Sequence, residues 1–282
     1  MSNTSRTIAA VVLVALLAPL VAACGGGGPS AQPTAAKPAG QATAKPAAQA
    51  TAAPAQPARG GDPSDRVSQA YTLLMGESDK PGVLASFHLE LAETAPQYNR
   101  ESKAVETTKT NLKADVQGTG VHLWIAEDDG TTTEGYVIGS DDYVVQDGKV
   151  EQNVMAGVGL TWAMSQLSPV IILSLAGLGA KPAGTEAIDG RKADAFDLDM
   201  AAADKLTLDT VRAFIGRGVT VAKGKAWVDQ ETGALLKTAL DYEVDLYDST
   251  SSDKNAPPLG HGAGHIEIAV SKVGKVTVSL PK

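Results

Sequence analysis

The 282-residue chain has one cysteine, Cys24, and only 4% aromatic residues. A lone cysteine excludes an internal disulfide and any site built from several thiolates, such as structural zinc or an iron–sulfur cluster. Positive charge is also scarce, with 24 Lys and Arg against 32 Asp and Glu. Nucleic-acid binding needs clustered cations to neutralise phosphates, so that class is excluded. Neither a Gly-x-Ser-x-Gly elbow nor a Gly-x-x-x-x-Gly-Lys-Ser/Thr loop occurs.

What is present is unevenly distributed. Residues 1–63 hold four basic groups (Arg6, Lys37, Lys45, Arg59) and one acid (Asp62), so nearly all the acidity belongs to the remainder. Residues 1–23 read as a secretory signal. Arg6 opens it, and Ile8 to Val21 is an uncharged apolar run too short for an ordinary membrane span. It ends in Val21-Ala22-Ala23-Cys24, which resembles the lipobox of bacterial lipoproteins. That resemblance implies lipidation of the Cys24 thiol, cleavage before it, and an anchor on the extracytoplasmic side of a bacterial cell membrane. Residues 24–63 continue with four glycines and loose Ala/Pro/Gln/Thr units. Nothing there is large and apolar enough to offset ordering entropy, so a disordered tether is expected.

The folded domain is expected over 64–282. Ser64 is placed to cap a helix whose Val67, Ala70, Tyr71 and Leu74 share one face, with Gly76 ending it. The period then changes to two. Phe87-Leu89-Leu91, Leu112-Ala114-Val116, Val121-Leu123-Ile125, Phe196-Leu198-Met200 and Leu236-to-Leu246 each alternate with polar residues. Asp147-Gly148 and Asp189-Gly190 are hairpin signals. Ile266-Ile268-Val270 and Val276-Val278-Leu280 read as two final strands. This alternation predicts antiparallel strands with one apolar and one wet face. Nine or ten of them are too many for a flat sheet, so strong curling is expected. A short helix capped by Thr207 is predicted over 207–216.

Residues 153–180 carry no charge at all. Gly157, Gly159 and Pro169 interrupt them, and Gln166-Leu-Ser-Pro169 reads as a helix boundary. Two short helices lying on the sheet's concave face are predicted. A helix apolar all round must be buried or meet lipid.

These features, together with Gly224-Lys-Ala-Trp-Val-Asp229-Gln-Glu-Thr-Gly233 before a long strand, resemble the LolA-like lipoprotein superfamily, most of all the mycobacterial lipid-carrying lipoproteins of the LprG/LppX group. The resemblance covers about 65–282. It implies an α+β fold, a strongly curved antiparallel half-barrel with helices packed on its concave face. It also implies binding and carriage of lipid or acylated ligands without catalysis and without a cofactor. The cavity would be lined by Val154, Val158, Leu160, Trp162, Leu167, Ile171, Ile172 and Leu175 of the insert and by Leu236, Leu240, Tyr242 and Val244 of the strand. A filled core with a surface for an envelope protein partner is the other reading the sequence leaves open.

The remaining polar motifs point to no catalytic or metal chemistry. His88 and His122 alternate with apolar residues and are expected on wet faces. His261-Gly-Ala-Gly-His265 and Gly179-to-Gly184 read as loops. Glu127-Asp-Asp129 and Asp141-Asp142 read as solvated turns.

Overall fold

The structure is a computed structural model that describes residues 62–75, 84–152, 157–215, 217–248 and 256–281. The expected signal segment, Cys24, nearly all of the tether, Gly76 and Val154 lie outside these residues, as do the side chains of Leu160 and Leu167.

Eleven antiparallel strands form one sheet. They are β1 (Ser86–Asn99), β2 (Ala104–Gln117), β3 (Gly120–Glu127), β4 (Thr132–Ile138), β5 (Asp141–Gln146), β6 (Lys149–Gln152), β7 (Lys181–Ile188), β8 (Arg191–Asp199), β9 (Arg217–Asp229), β10 (Leu235–Leu246) and β11 (Gly260–Ser271). Their order is β6-β5-β4-β3-β2-β1-β11-β10-β9-β8-β7, so the sheet is open. Two meanders, β1–β6 and β7–β11, meet at a central seam where Leu89 pairs with Val270. The Asp147-Gly148 and Asp189-Gly190 turns join β5 to β6 and β7 to β8, each with both residues at positive φ (51° and 73°; 48° and 77°). That is what a two-residue hairpin twisted like its strands requires.

Eleven strands exceed the nine or ten expected, and glycine masked where two of them begin. β7 starts inside the stretch 179–184 that reads as a loop, and His261 and His265 both lie in β11. The glycines of β11 have a packing reason. Pro96 and Val105 of the β1–β2 hairpin lie against Gly262, and the Tyr242 ring lies over Gly264, where a Cβ has no room. Conversely, 276–281 is not a strand. It crosses the ends of the central strands, held by Val276 N–H donating to Ser86 Oγ (3.2 Å) and Val278 N–H to Gln117 Oε1 (2.9 Å).

Three α-helices are described: α1 (Pro63–Met75), α2 (Val158–Gly177) and α3 (Lys205–Ile215). On α1, Val67, Ala70, Tyr71 and Leu74 are all buried as their spacing predicts. Its cap is Asp62, not Ser64: Ser64 N–H donates to Asp62 Oδ1 at 2.8 Å, and Pro63 takes the first helical position. Ser64 instead ties α1 to the end of α2, donating to the Leu178 carbonyl at 3.0 Å. Likewise α3 is capped by Asp204 rather than Thr207, since Thr207 N–H donates to Asp204 Oδ1 at 2.8 Å.

The uncharged insert forms one helix, α2, which runs through Pro169. An internal proline costs about 3 kcal/mol. Fully burying one large aliphatic side chain returns about 1.5–3 kcal/mol. Val170, Ile171, Ile172, Leu173 and Leu175 are all at most 6% exposed, so burial outweighs the break.

α2 also bears on the curvature. It packs against β4 and β5 in one wing and against β8 and β9 in the other. These strand pairs stand far apart in the sheet order, and the helix lies between them in a curved half-barrel.

Candidate functional site

The concave face is built by the alternation read from the sequence. Phe87, Leu89, Leu91, Leu112, Ala114, Leu123, Leu198, Leu236, Leu240, Val244, Ile266 and Ile268 are at most 4% exposed. α1 and α2 lie on this face, and Arg66 of α1 anchors it to β8 through an ion pair with Asp194 (2.6 Å). At its other end α2 begins where Asp142 of β5 accepts from Gly159 N–H (3.2 and 3.4 Å), so a carboxylate meets the positive end of the helix. Val158 seats on Gly135 of β4, where no Cβ would fit.

The described residues of the expected lining divide into two groups. Ile171, Ile172 and Leu175 on the C-terminal half of α2 are 5%, 0% and 3% exposed. Leu236, Leu240, Tyr242 and Val244 on β10 are at most 1% exposed. Protein atoms cover all of these. On the N-terminal half, Val158 is buried against β4, whereas Gly159, Thr161 and Trp162 are only half-buried. Among the described side chains, α2 is therefore enclosed over most of 169–177 and less so at 159, 161 and 162.

One polar device on this face was not legible in the sequence. The Tyr242 hydroxyl donates across β11 to Glu93 Oε1 (3.2 Å), with the Thr94 carbonyl at 3.4 Å. Burial, with Glu93 adding to it, pushes the Tyr242 hydroxyl pKa well above its ordinary value. It stays a neutral donor, and Glu93 stands on the inner side of a strand that otherwise turns apolar residues inward. The missing signal is the glycine opposite: Gly264, paired with Tyr242, is what lets the ring lie flat towards β1.

The Trp-x-Asp turn acts as a clasp between β8 and β9. Asp229, 1% exposed, accepts from Arg191 Nη2 (2.6 Å), Thr232 Oγ1 (2.6 Å) and Thr232 N–H (3.1 Å). Burial alone would raise the Asp229 pKa, but these bonds outweigh it and hold the carboxyl below its ordinary range.

All four histidines stand on the convex face, each against a carboxylate. His88 Nδ1 meets Asp115 (2.7 Å), His122 Nε2 meets Glu134 (2.9 Å), His261 Nδ1 meets Asp245 (3.0 Å) and His265 Nδ1 meets Asp241 (2.6 Å). His88 and His122 do face outward, yet their side chains are only 13% and 16% exposed, sheltered by neighbouring side chains on a face expected to be wet. Among the described residues no group of three or more His, Cys, Asp or Glu could hold a metal ion. No described helix is long and apolar enough to cross a membrane.

No protein-family model matches the chain, and neither does any curated protein. Solved structures do. The chain is similar to the lipoprotein LppX of Mycobacterium tuberculosis at 16% identity and a TM-score of 0.37, over 76% of this chain and 96% of that one. It is similar to LprF of Mycobacterium bovis at 16% identity and a TM-score of 0.36, over 78% and 95%. A LolA superfamily protein of Nitrosomonas europaea matches at 12% identity and a TM-score of 0.23, over 77% and 92%. Superpositions this loose carry no function across.

Proposed function

We propose that this protein is a lipoprotein anchored through Cys24 to the outer side of a bacterial cell membrane, where it binds and carries lipid acyl chains without catalysis. The observation behind this reading is α2, a 20-residue helix without one charge, laid inside a curved sheet. Such a helix needs apolar surroundings on every side. For its C-terminal half the sheet and α1 supply them; for the N-terminal half, around Thr161 and Trp162, we assign that part to a guest. Each buried CH₂ of an acyl chain contributes about 0.8 kcal/mol, so a partly enclosed chain already binds usefully. Val, Leu, Ile and Met side chains suit flexible alkyl chains better than flat rings.

Purification from membranes, denaturing extraction and mass spectrometry of the extract tests the proposal. Lipid should accompany the protein, and Trp162→Glu should lower its amount while the circular dichroism spectrum stays unchanged. Cys24→Ala should move the protein from the membrane to the soluble fraction. The absence of lipid from the wild-type extract would overturn the carrier reading. It would favour the second one, a tethered docking module for an envelope protein, to which the complete burial of Ile172, Leu236 and Leu240 lends support.

A further inference from the structure

The convex face of β2, β3 and β4, away from α2, carries an open groove of about 300 Å³. Its origin lies in strand register. Across the three strands the outward residues form parallel rows: Asp115–His122–Tyr136, Lys113–Trp124–Glu134 and Asn111–Ala126–Thr132. His122 is stacked on Tyr136 (ring centroids 3.8 Å apart, planes at 15°) and leans on Trp124 (3.6 Å, 43°). These contacts brace the indole on one side. On its other side the next row has a small residue, Ala126, between two polar ones. The groove is the space this leaves, with a Trp124 wall, an Ala126 floor, and Asn111 and Thr132 as banks.

The charges beside the groove are already matched. Lys113 Nζ lies 3.2 Å from Glu90, and Glu134 takes the hydrogen bond of His122 at 2.9 Å. A strongly charged ligand would have to break one of these pairs. By contrast, the Asn111 amide, the Thr132 hydroxyl and the Trp124 indole N–H have no hydrogen-bond partner among the described residues. A braced aromatic face with uncommitted neutral donors and acceptors around it suits a ligand that is apolar on its faces and polar at its rim. That is the chemistry of a pyranose ring, whose axial C–H bonds pack on an aromatic face while its hydroxyls reach sideways. The banks stand two strand spacings apart, roughly 10 Å, which admits one ring. The volume sits at the small end of ligand sites, enough for one or two sugar units. The C-terminal segment crosses the opposite end of these strands, at Ser86 and Gln117, and leaves the groove uncovered.

We infer that the Trp124 groove binds a neutral glycan. Bound there, a polysaccharide would hold the convex face while the concave face remains free for its own ligand.

The test uses the full chain in a pull-down on insoluble chitin, cellulose and mannan, all uncharged, followed by calorimetric titration with tetra-N-acetylchitotetraose or the soluble fragment of whichever polymer retains it. Retention on at least one polymer is expected. Trp124→Ala should weaken binding about tenfold, the worth of one aromatic contact. Because Trp124→Ala also unbraces His122, Ala126→Ile serves as a second variant: it fills the floor without removing a native contact and should weaken binding similarly with an unchanged melting temperature. Both variants should leave co-purifying lipid unaltered, which separates this site from the acyl proposal. Failure of every polymer and oligosaccharide to bind in the millimolar range would overturn the inference, as would binding that survives both variants.

Discussion

The two faces of one sheet solve opposite problems with the same strands. On the concave side the residues are mostly apolar and covered, and the charges there, Glu93, Asp142 and Asp194, are met by Tyr242, Gly159 N–H and Arg66. On the convex side charges are arranged in cross-strand pairs, such as Lys113–Glu90 and Lys223–Asp199. Burial is the larger energy and charge pairing the smaller, so the concave face determines whether the sheet holds together. The convex face is freer to vary its chemistry, and the aromatic groove lies there.

Truncations should expose the asymmetry most strongly. Leu240→Ala or Leu123→Ala should cost about 2–5 kcal/mol by urea denaturation, because each side chain is at most 1% exposed. Lys113→Ala, on the other face and more than half exposed, should change stability by about 0.5 kcal/mol or less. Equal effects from the two would remove the distinction.

The Asp229 clasp should come next. Arg191→Ala leaves a carboxylate buried with half its partners and should cost about 3 kcal/mol near neutral pH. Since the folded Asp229 pKa is lowered, its stabilisation is present above the ordinary carboxylate pKa and is lost as pH falls through the folded value. Asp229→Asn should therefore show a flatter decline of melting temperature in acid than the wild type does.

The histidines give a smaller effect that sharpens the comparison within the convex face itself. For His261 the hydrogen bond it donates to Asp245 leads in raising the pKa; for His265 burial opposes, but Asp241 and Glu267 prevail. Their contribution is present below the unfolded histidine pKa and is lost as pH rises through the folded values. For His122 burial leads and lowers the pKa in spite of Glu134, so it opposes the other two, favouring the folded state as pH rises. The double variant His261→Asn, His265→Asn should lose less stability between about pH 6 and 8 than the wild type. His122→Phe should remove a dependence of the opposite sign.

Most of the fold was readable because alternation reports one buried face, and a one-residue shift would have exposed all of Phe87, Leu89 and Leu91. The failures share a cause. At 260–264 and at Gly179 glycine is selected by a neighbour, Pro96, Tyr242 or Asp199, and such partners are remote in sequence. Pro169 marked a boundary locally, but burial on both sides overruled it. The C-terminal Val276 and Val278 alternate as a strand would, yet no free edge lies beside them, since the edge strands are β6 and β7. The expected cavity lining was legible as apolar surface. Enclosure is a property of how α1, α2 and the sheet meet, which periodicity does not encode. Nor did the sequence single out the Trp124 groove, because it arises from rows of residues on three strands.

The central seam has a consequence for how this chain comes to be. β1 is made almost first and β11 almost last, yet they are neighbours in the middle of the sheet. Each meander can zip from its own hairpins, while the join between them waits for the final strand and carries the slow, long-range step of assembly. A ribosome stalled before residue 260 would leave two half-sheets with raw inner edges, so the molecule must be finished before it can close.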